Sequence, residues 1–244
     1  IACAMRDSCL RELSHTAVLN RRLLLSLTPA LLTLNPENAL AKPALDAASR
    51  FALDIPDDFV VSKRKAVTGT LFVAGNFPRA SVISVTAWPL DALLQDDARS
   101  RALPGLPQEL VIAEHATPLS FTDIGSAKSV AQLLLRARDR DASSGALQSA
   151  LTLSQLSSDG SRLEFECATE LPVSDPDALE EQRGVRQLIR RTRAASVLGS
   201  VPGGDGAPVP ALFSVWGSAL EQDWDKDLKA PLEKTVSSFS VAAK

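Results

Sequence analysis

The chain predicts one α+β domain, on three observations. Phe51, Leu53 and Ile55 alternate with other residues ahead of the turn residues Pro56-Asp57-Asp58, the pattern of a half-buried strand. Leu163, Phe165 and Cys167 alternate with Glu164 and Glu166 in the same way. Between and after them the period changes to that of a helix, at residues 126–136 and again at 221–236. Strands and a few helices in one run, with no internal repeat, read as a single layered domain.

The elements follow in order. Residues 70–74 are rich in strand formers and close on Gly75-Asn76, and Val82, Ile83, Val85 and Trp88 make a further strand closed by Pro89. Short links between them favour antiparallel neighbours. Residues 96–121, with Pro104, Pro107 and Pro118, read as an irregular insertion. Val130, Leu133 and Leu134 then share one helical face, with Ser126 placed to cap it. Strands resume over 146–156, and Asp159-Gly160 signals a type I′ hairpin turn into the alternating strand at 162–171. Propensity alone makes 185–198 a helix, since Leu188, Ile189, Thr192 and Ala195 fit one face and Gly199 a stop. A Gly- and Pro-rich loop fills 199–210, a strand follows at 211–216, and Trp224, Leu228, Leu232 and Val236 stripe a C-terminal helix.

Composition narrows the chemistry. The 244 residues are 45% hydrophobic, ample for a core, and carry a formal charge of −3, so no summed positive field draws nucleic acid or anionic lipid. No apolar run reaches the roughly 18–20 residues of a membrane-spanning helix. Tyrosine is absent, and His15 and His115 are the only histidines, which removes most general acid and base options. Cys3, Cys9 and Cys167 form no CxxC pair, so a zinc or thioredoxin-like site has no support; Cys167 reads as a buried structural thiol.

Residues 1–41 read as an address. Arg21-Arg22 precedes the short apolar core Leu23-Leu24-Leu25-Ser26-Leu27, and Ala39-Leu40-Ala41 is an A-x-A cleavage pattern that would leave Lys42 as the new N-terminus. Twin arginines ahead of such a core match the twin-arginine export signal, and the length before Arg21 suggests a two-part address: organelle entry, then export into an inner compartment. The domain is then 42–244.

Three groups of charged residues are candidate sites. Asp57-Asp58 and Asp96-Asp97 are carboxylate pairs of the kind that hard cations bind, which makes them candidate metal ligands. Asp223, Asp225 and Asp227 resemble the opening of a calcium loop but fail at its sixth and twelfth positions, Leu228 and Lys234. Lys63, Arg64 and Lys65, and the run containing Arg186, Arg190, Arg191 and Arg193, are candidate docking patches for an acidic partner. His115 has no second ligand beside it, no G-x-S-x-G occurs, and Gly203-Gly204-Asp205-Gly206 lacks the Lys-Ser/Thr of a phosphate loop.

Residues 51–56 (FALDIP), 69–77 (GTLFVAGNF), Ser84-Val85, 121–126 (FTDIGS), and Trp224 with 236–241 (VSSFSV) resemble the PsbP-domain proteins of the thylakoid lumen. The resemblance spans nearly all of 42–244. It implies a Mog1/PsbP-like α/β/α sandwich, with a central, mostly antiparallel sheet and helices on both faces. It also makes 190–198 and 211–220 the arms of a late hairpin, against the local helix propensity of the first. In function it implies a non-enzymatic extrinsic protein of the chloroplast thylakoid lumen, peripheral to the membrane. Such a protein binds photosystem II or photosystem I subunits and acts in assembly, stability or support of the oxygen-evolving complex.

Ca²⁺ is the one cofactor the resemblance raises, because the founding member helps photosystem II retain calcium and chloride. Once cut after Ala41, the chain departs from that member in having only residues 42–50 before Phe51 in place of a long arm, in the 96–121 insertion and in the acidic stretch 174–181. It therefore looks like a divergent relative, and no metal-binding residue carries over. Two alternatives stand beside this reading: a calcium-binding oxygen-evolving subunit, and a small-molecule carrier or enzyme.

Overall fold

A computed structural model describes residues 41–45, 50–63, 69–101, 110, 112, 117–141 and 149–242. The strands β3 (Val60–Val61), β4 (Thr70–Asn76), β5 (Ser81–Pro89), β6 (Ser149–Leu156), β7 (Arg162–Leu171), β8 (Leu188–Pro202) and β9 (Pro208–Leu220) form one sheet. Its order is β3-β4-β5-β9-β8-β7-β6, and every neighbouring pair is antiparallel. A small second sheet joins β1 (Lys42–Leu45), β2 (Phe51–Ile55) and β10 (Ser240–Val241).

Strand alternation sends side chains to two separate cores. On one face, Leu163, Phe165, Leu212 and Trp216 pack against α1 (Leu90–Arg101) and α2 (Ala127–Asp141). On the other, Ile83, Val85, Phe213 and Val215 pack against Phe51, Leu53, Ile55 and the C-terminal helix. Residues 211–220 of β9 are buried throughout, as expected of a central strand covered on both sides. The α+β sandwich with helices on both faces is therefore the observed architecture.

Four details differ from the local sequence reading, each for a physical reason. The first twelve residues after β5 are helical, so Asp96 and Asp97 lie on α1 and not in a loop. Leu90 and Leu93 begin its inward stripe, but the stripe continues as Asp97, a charge that hides the helical period. Residues 188–202 are strand where propensity favours helix, because β8 gains thirteen register partners on β9 and ten on β7. The Gly- and Pro-rich loop shrinks to five residues, 203–207, closed by the Gly203 N–H to the Ala207 carbonyl at 2.7 Å.

The turn at Asp159-Gly160 is the fourth. Gly160 takes φ 67°, but Ala80 is the only non-glycine with positive φ among the described residues, so this is not a type I′ turn. Asp159 instead accepts from the Ser161 N–H at 3.1 Å and the Ser161 hydroxyl at 2.7 Å, and the hairpin loop runs 157–161. A short helix α3 (Pro176–Arg183) also follows β7. Its signals were legible in Asp175, whose carboxylate accepts from the Ala178 N–H, in Pro176, and in left-handed Gly184 after its last turn.

The C-terminal helix keeps its predicted stripe by bending a rule. A strict spacing of four drifts about 40° per step around an α-helix. Between α4 (Glu221–Asp223) and α5 (Lys229–Ser238) the chain takes a π-helical turn, Trp224–Leu228, closed by the Lys229 N–H on the Trp224 carbonyl. That wider turn absorbs part of the drift, and Trp224, Leu228, Leu232 and Val236 are all buried.

Gly199 shows how tightly the late hairpin packs. A Cβ there would lie 2.8 Å from two carbons of the Phe213 ring, which is itself sealed in the core. Gly199→Ala is expected to destabilise the fold by about 1–3 kcal/mol, read as a lower urea midpoint at unchanged m-value.

Candidate functional site

The structure disperses the acidic candidates. Asp57 lies 3.9 Å from the Lys42 ammonium, while the Asp58 carboxylate accepts from the Asn76 amide at 2.8 Å. Asp96 pairs with Arg140 at 2.7 Å and Asp97 with Arg136, so these carboxylates tie α1 to α2. Asp227, in the π turn, pairs with Arg79, whose hydrogen bond first and charge second hold its carboxyl below the usual range. Among the described residues no group of three or more His, Cys, Asp or Glu is arranged to hold a metal ion. His115 lies outside the described residues.

The basic run is divided too, because successive strand residues face opposite sides. Arg186 is exposed and pairs with Asp177 and Glu180 of α3. Arg191 and Arg193 face the C-terminal helix side, where Arg191 binds Glu221 at 2.7 Å and Arg193 bridges Glu164 and Glu166, each at 2.7 Å. Burial opposes ionisation of Glu164, but Arg162 and Arg193 outweigh it and hold the carboxyl below its ordinary range. Arg190 points to the opposite face. The four arginines are therefore not one docking patch but parts of separate networks. Lys63 is exposed just after β3, and Arg64 and Lys65 lie outside the described residues.

One cluster was missed. Arg138, in the last turn of α2, lies with its guanidinium carbon 4.8 Å from the Trp216 ring centroid and donates to Ser149 Oγ at 2.7 Å and Thr169 Oγ1 at 3.2 Å. Asp139 accepts from the Ser149 N–H and hydroxyl, both at 2.9 Å. Cys167 is sealed beneath, and burial pushes its thiol up despite the charge of Arg138. A thiol so held is a packing group, not an activated nucleophile. The legible signal was spacing: Arg138 follows Leu134 by four residues, which continues the apolar stripe with a cation.

A cleft of about 160 Å³ beside the C-terminal helix is lined by Thr152, Glu166, Cys167, Arg191, Thr192, Trp224, Asp225 and Lys229. It is smaller than the ~300 Å³ at which ordinary ligand pockets begin. Two of its charged residues, Glu166 and Arg191, are already paired with neighbours outside it.

Exposed carboxylates give the fold a pH dependence of definite sign. Hydrogen bonds from Ser157 and Ser161 lower Asp159 from 3.8 to about 2, and backbone N–H groups of Ser120 and Leu119 lower Asp123. A carboxyl lowered in the folded state contributes stability that is present above its unfolded pKa and lost as pH falls through the folded one. The melting temperature is therefore expected to drop between about pH 4.5 and pH 2. Asp159→Asn is expected to flatten that drop when thermal scans at pH 7 and pH 2.5 are compared.

What the fold and site define is an α+β sandwich whose charged residues are spent largely on each other, with no helix among the described residues long and apolar enough to cross a membrane. Comparison with known proteins finds no matching family model and no matching curated protein. Among solved structures the chain is similar to the solution structure of cyanobacterial PsbP (CyanoP) from Synechocystis sp. PCC 6803. The two share 19% identity over 84% of this chain and 94% of that one, with a TM-score of 0.49. It is also similar to LpqN, involved in cell envelope biogenesis of Mycobacterium tuberculosis, at 11% identity over 83% and 91%, with a TM-score of 0.33.

Proposed function

We propose that this chain is an extrinsic, PsbP-type protein of the thylakoid lumen that associates with photosystem subunits as an assembly or stability factor. The observation that carries the reading is the late hairpin. The resemblance in residues 51–56, 69–77 and 121–126 implied strand at 190–198, where local propensity favours helix, and β8 occupies that segment. The twin-arginine and A-x-A pattern in residues 1–41, which lie outside the described residues apart from Ala41, supports the same compartment. Calcium support is left out of the reading, because Asp96 and Asp97 are held by arginines and Asp57 and Asp58 turn to different partners.

The test is recovery of partners. The precursor is imported into isolated chloroplasts, and the tagged protein is then drawn from gently solubilised thylakoids. It is expected to reach the lumen, lose residues 1–41 and bring down photosystem subunits. Retention outside the thylakoid, or a preparation free of photosystem subunits, would sink the proposal.

A further inference from the structure

Charge does not balance where the end of α2 meets the sheet. Arg190 shares a sheet face with Thr192 and Ala194, and its register partners are Thr169 on β7 and Leu220 on β9. Its Nη1 donates to the Ala80 carbonyl at 3.1 Å and to Ser218 Oγ at 3.3 Å. Nε and Nη2 have no acceptor among the described residues, and no carboxylate pairs with the group. Those donors still reach solvent, since neither is among the sealed side-chain atoms left without a partner.

The surroundings sharpen the imbalance. Burial lowers the Arg190 pKa from its ordinary value, and the positive charge of Arg138 lowers it further. Asp139, the carboxylate of this cluster, is engaged by Arg138 at 3.3 Å and by the Ser149 N–H and hydroxyl. Arg190 thus sits beside a second cation with no carboxylate of its own, in a half-buried setting where an unpaired charge is costly. Thr192 lies between Cys167 and Ser218 in the strand register and is 1% exposed, its hydroxyl turned to the Cys167 thiol.

We propose that Arg190, with the neighbouring Arg138, is a binding site for a small tetrahedral oxyanion of the phosphate or sulfate class. The open Nε and Nη2 edge of a guanidinium presents parallel donors that match two oxygens of such an ion. A dianion suits two cations and one engaged carboxylate better than a monocarboxylate does. This inference does not depend on the lumenal reading, and its test uses purified protein alone.

Inorganic phosphate is titrated into the 244-residue chain at constant ionic strength made up with chloride, and arginine Nε–H signals are followed by ¹⁵N NMR. The resonances of Arg190 and Arg138 are expected to shift saturably, while those of Arg186 and Arg193 stay in place. At about five times the Kd, phosphate is expected to raise Tm by about 2–4 °C over chloride. Arg190→Gln is expected to bind about tenfold more weakly or worse, with Arg186→Gln like the parent. Subtracting the two variants removes the general stabilisation that excluded salts give any protein.

The wild-type NMR titration answers the question even if Arg190→Gln fails to fold. Shifts spread evenly over the arginines, equal responses of the two variants, or acetate binding as tightly as phosphate would each overturn the proposal.

Discussion

Trp216→Ala is expected to cost about 3–5 kcal/mol of stability. The indole is 3% exposed at the middle of the α1–α2 core, with ring centroids 5.3 Å from Phe165 and 6.1 Å from Trp88 in edge-on geometry. Its Nε1 donates to Thr86 Oγ1 at 3.0 Å, so truncation removes a large apolar body and one buried hydrogen bond together. It also strips the ring from under the Arg138 guanidinium. Urea unfolding followed by far-UV circular dichroism measures the loss. Trp216→Phe separates the parts: it keeps most of the ring contacts and gives up the N–H, at an expected ~1 kcal/mol. Equal costs for the two variants would mean that the hydrogen bond, and not the packing, holds this centre.

Arg162→Met is the second large effect expected, at about 2–3 kcal/mol. Arg162 starts β7, yet its guanidinium closes the far end of the C-terminal helix, donating to the Val236 carbonyl at 2.6 Å and the Phe239 carbonyl at 2.9 Å. Nε binds Glu164 at 3.1 Å, and the side chain is 21% exposed. Late helix carbonyls lack partners in their own helix, and a cation beside them is favoured by the helix dipole. Met keeps the apolar stem and removes the charge. Amide exchange at Phe239 and Ser240 is expected to quicken by at least about tenfold, because β10 follows directly from that cap. Arg186→Met, at a pair open to solvent, is expected to cost at most about 1 kcal/mol. A similar loss in both variants would show that the cap contributes nothing beyond an ordinary surface charge.

Both predictions concern residues whose partners lie far along the chain, and that separation marks how far the sequence could be read. The strands β2, β4, β5 and β7 were legible because their alternation is local: Phe51, Leu53 and Ile55 face one core, and Leu163, Phe165 and Cys167 the other. The α2 helix was legible from Val130, Leu133 and Leu134, and its Ser126 cap is present, accepting from the Ser129 N–H at 3.2 Å. Helix α1 was not, because a buried carboxylate occupies its inward stripe and makes sense only beside Arg136. The arginine run divides for a related reason. Closeness along a strand places Arg190 and Arg191 on opposite faces, whereas Arg190 and Arg138, far apart in sequence, share one.

By itself the sequence determined the fold class, the period of most elements, the absence of a spanning apolar run and the poverty of acid–base groups. These follow from side-chain polarity and spacing, which act over a few residues. Tertiary structure alone decided that the strand implied at 190–198 runs from 188 to 202, that acids and arginines pair off across the sheet, and that Arg190 is left with open donors. Those outcomes depend on hydrogen-bond partners and charges supplied by distant segments, and no local pattern encodes which segments meet.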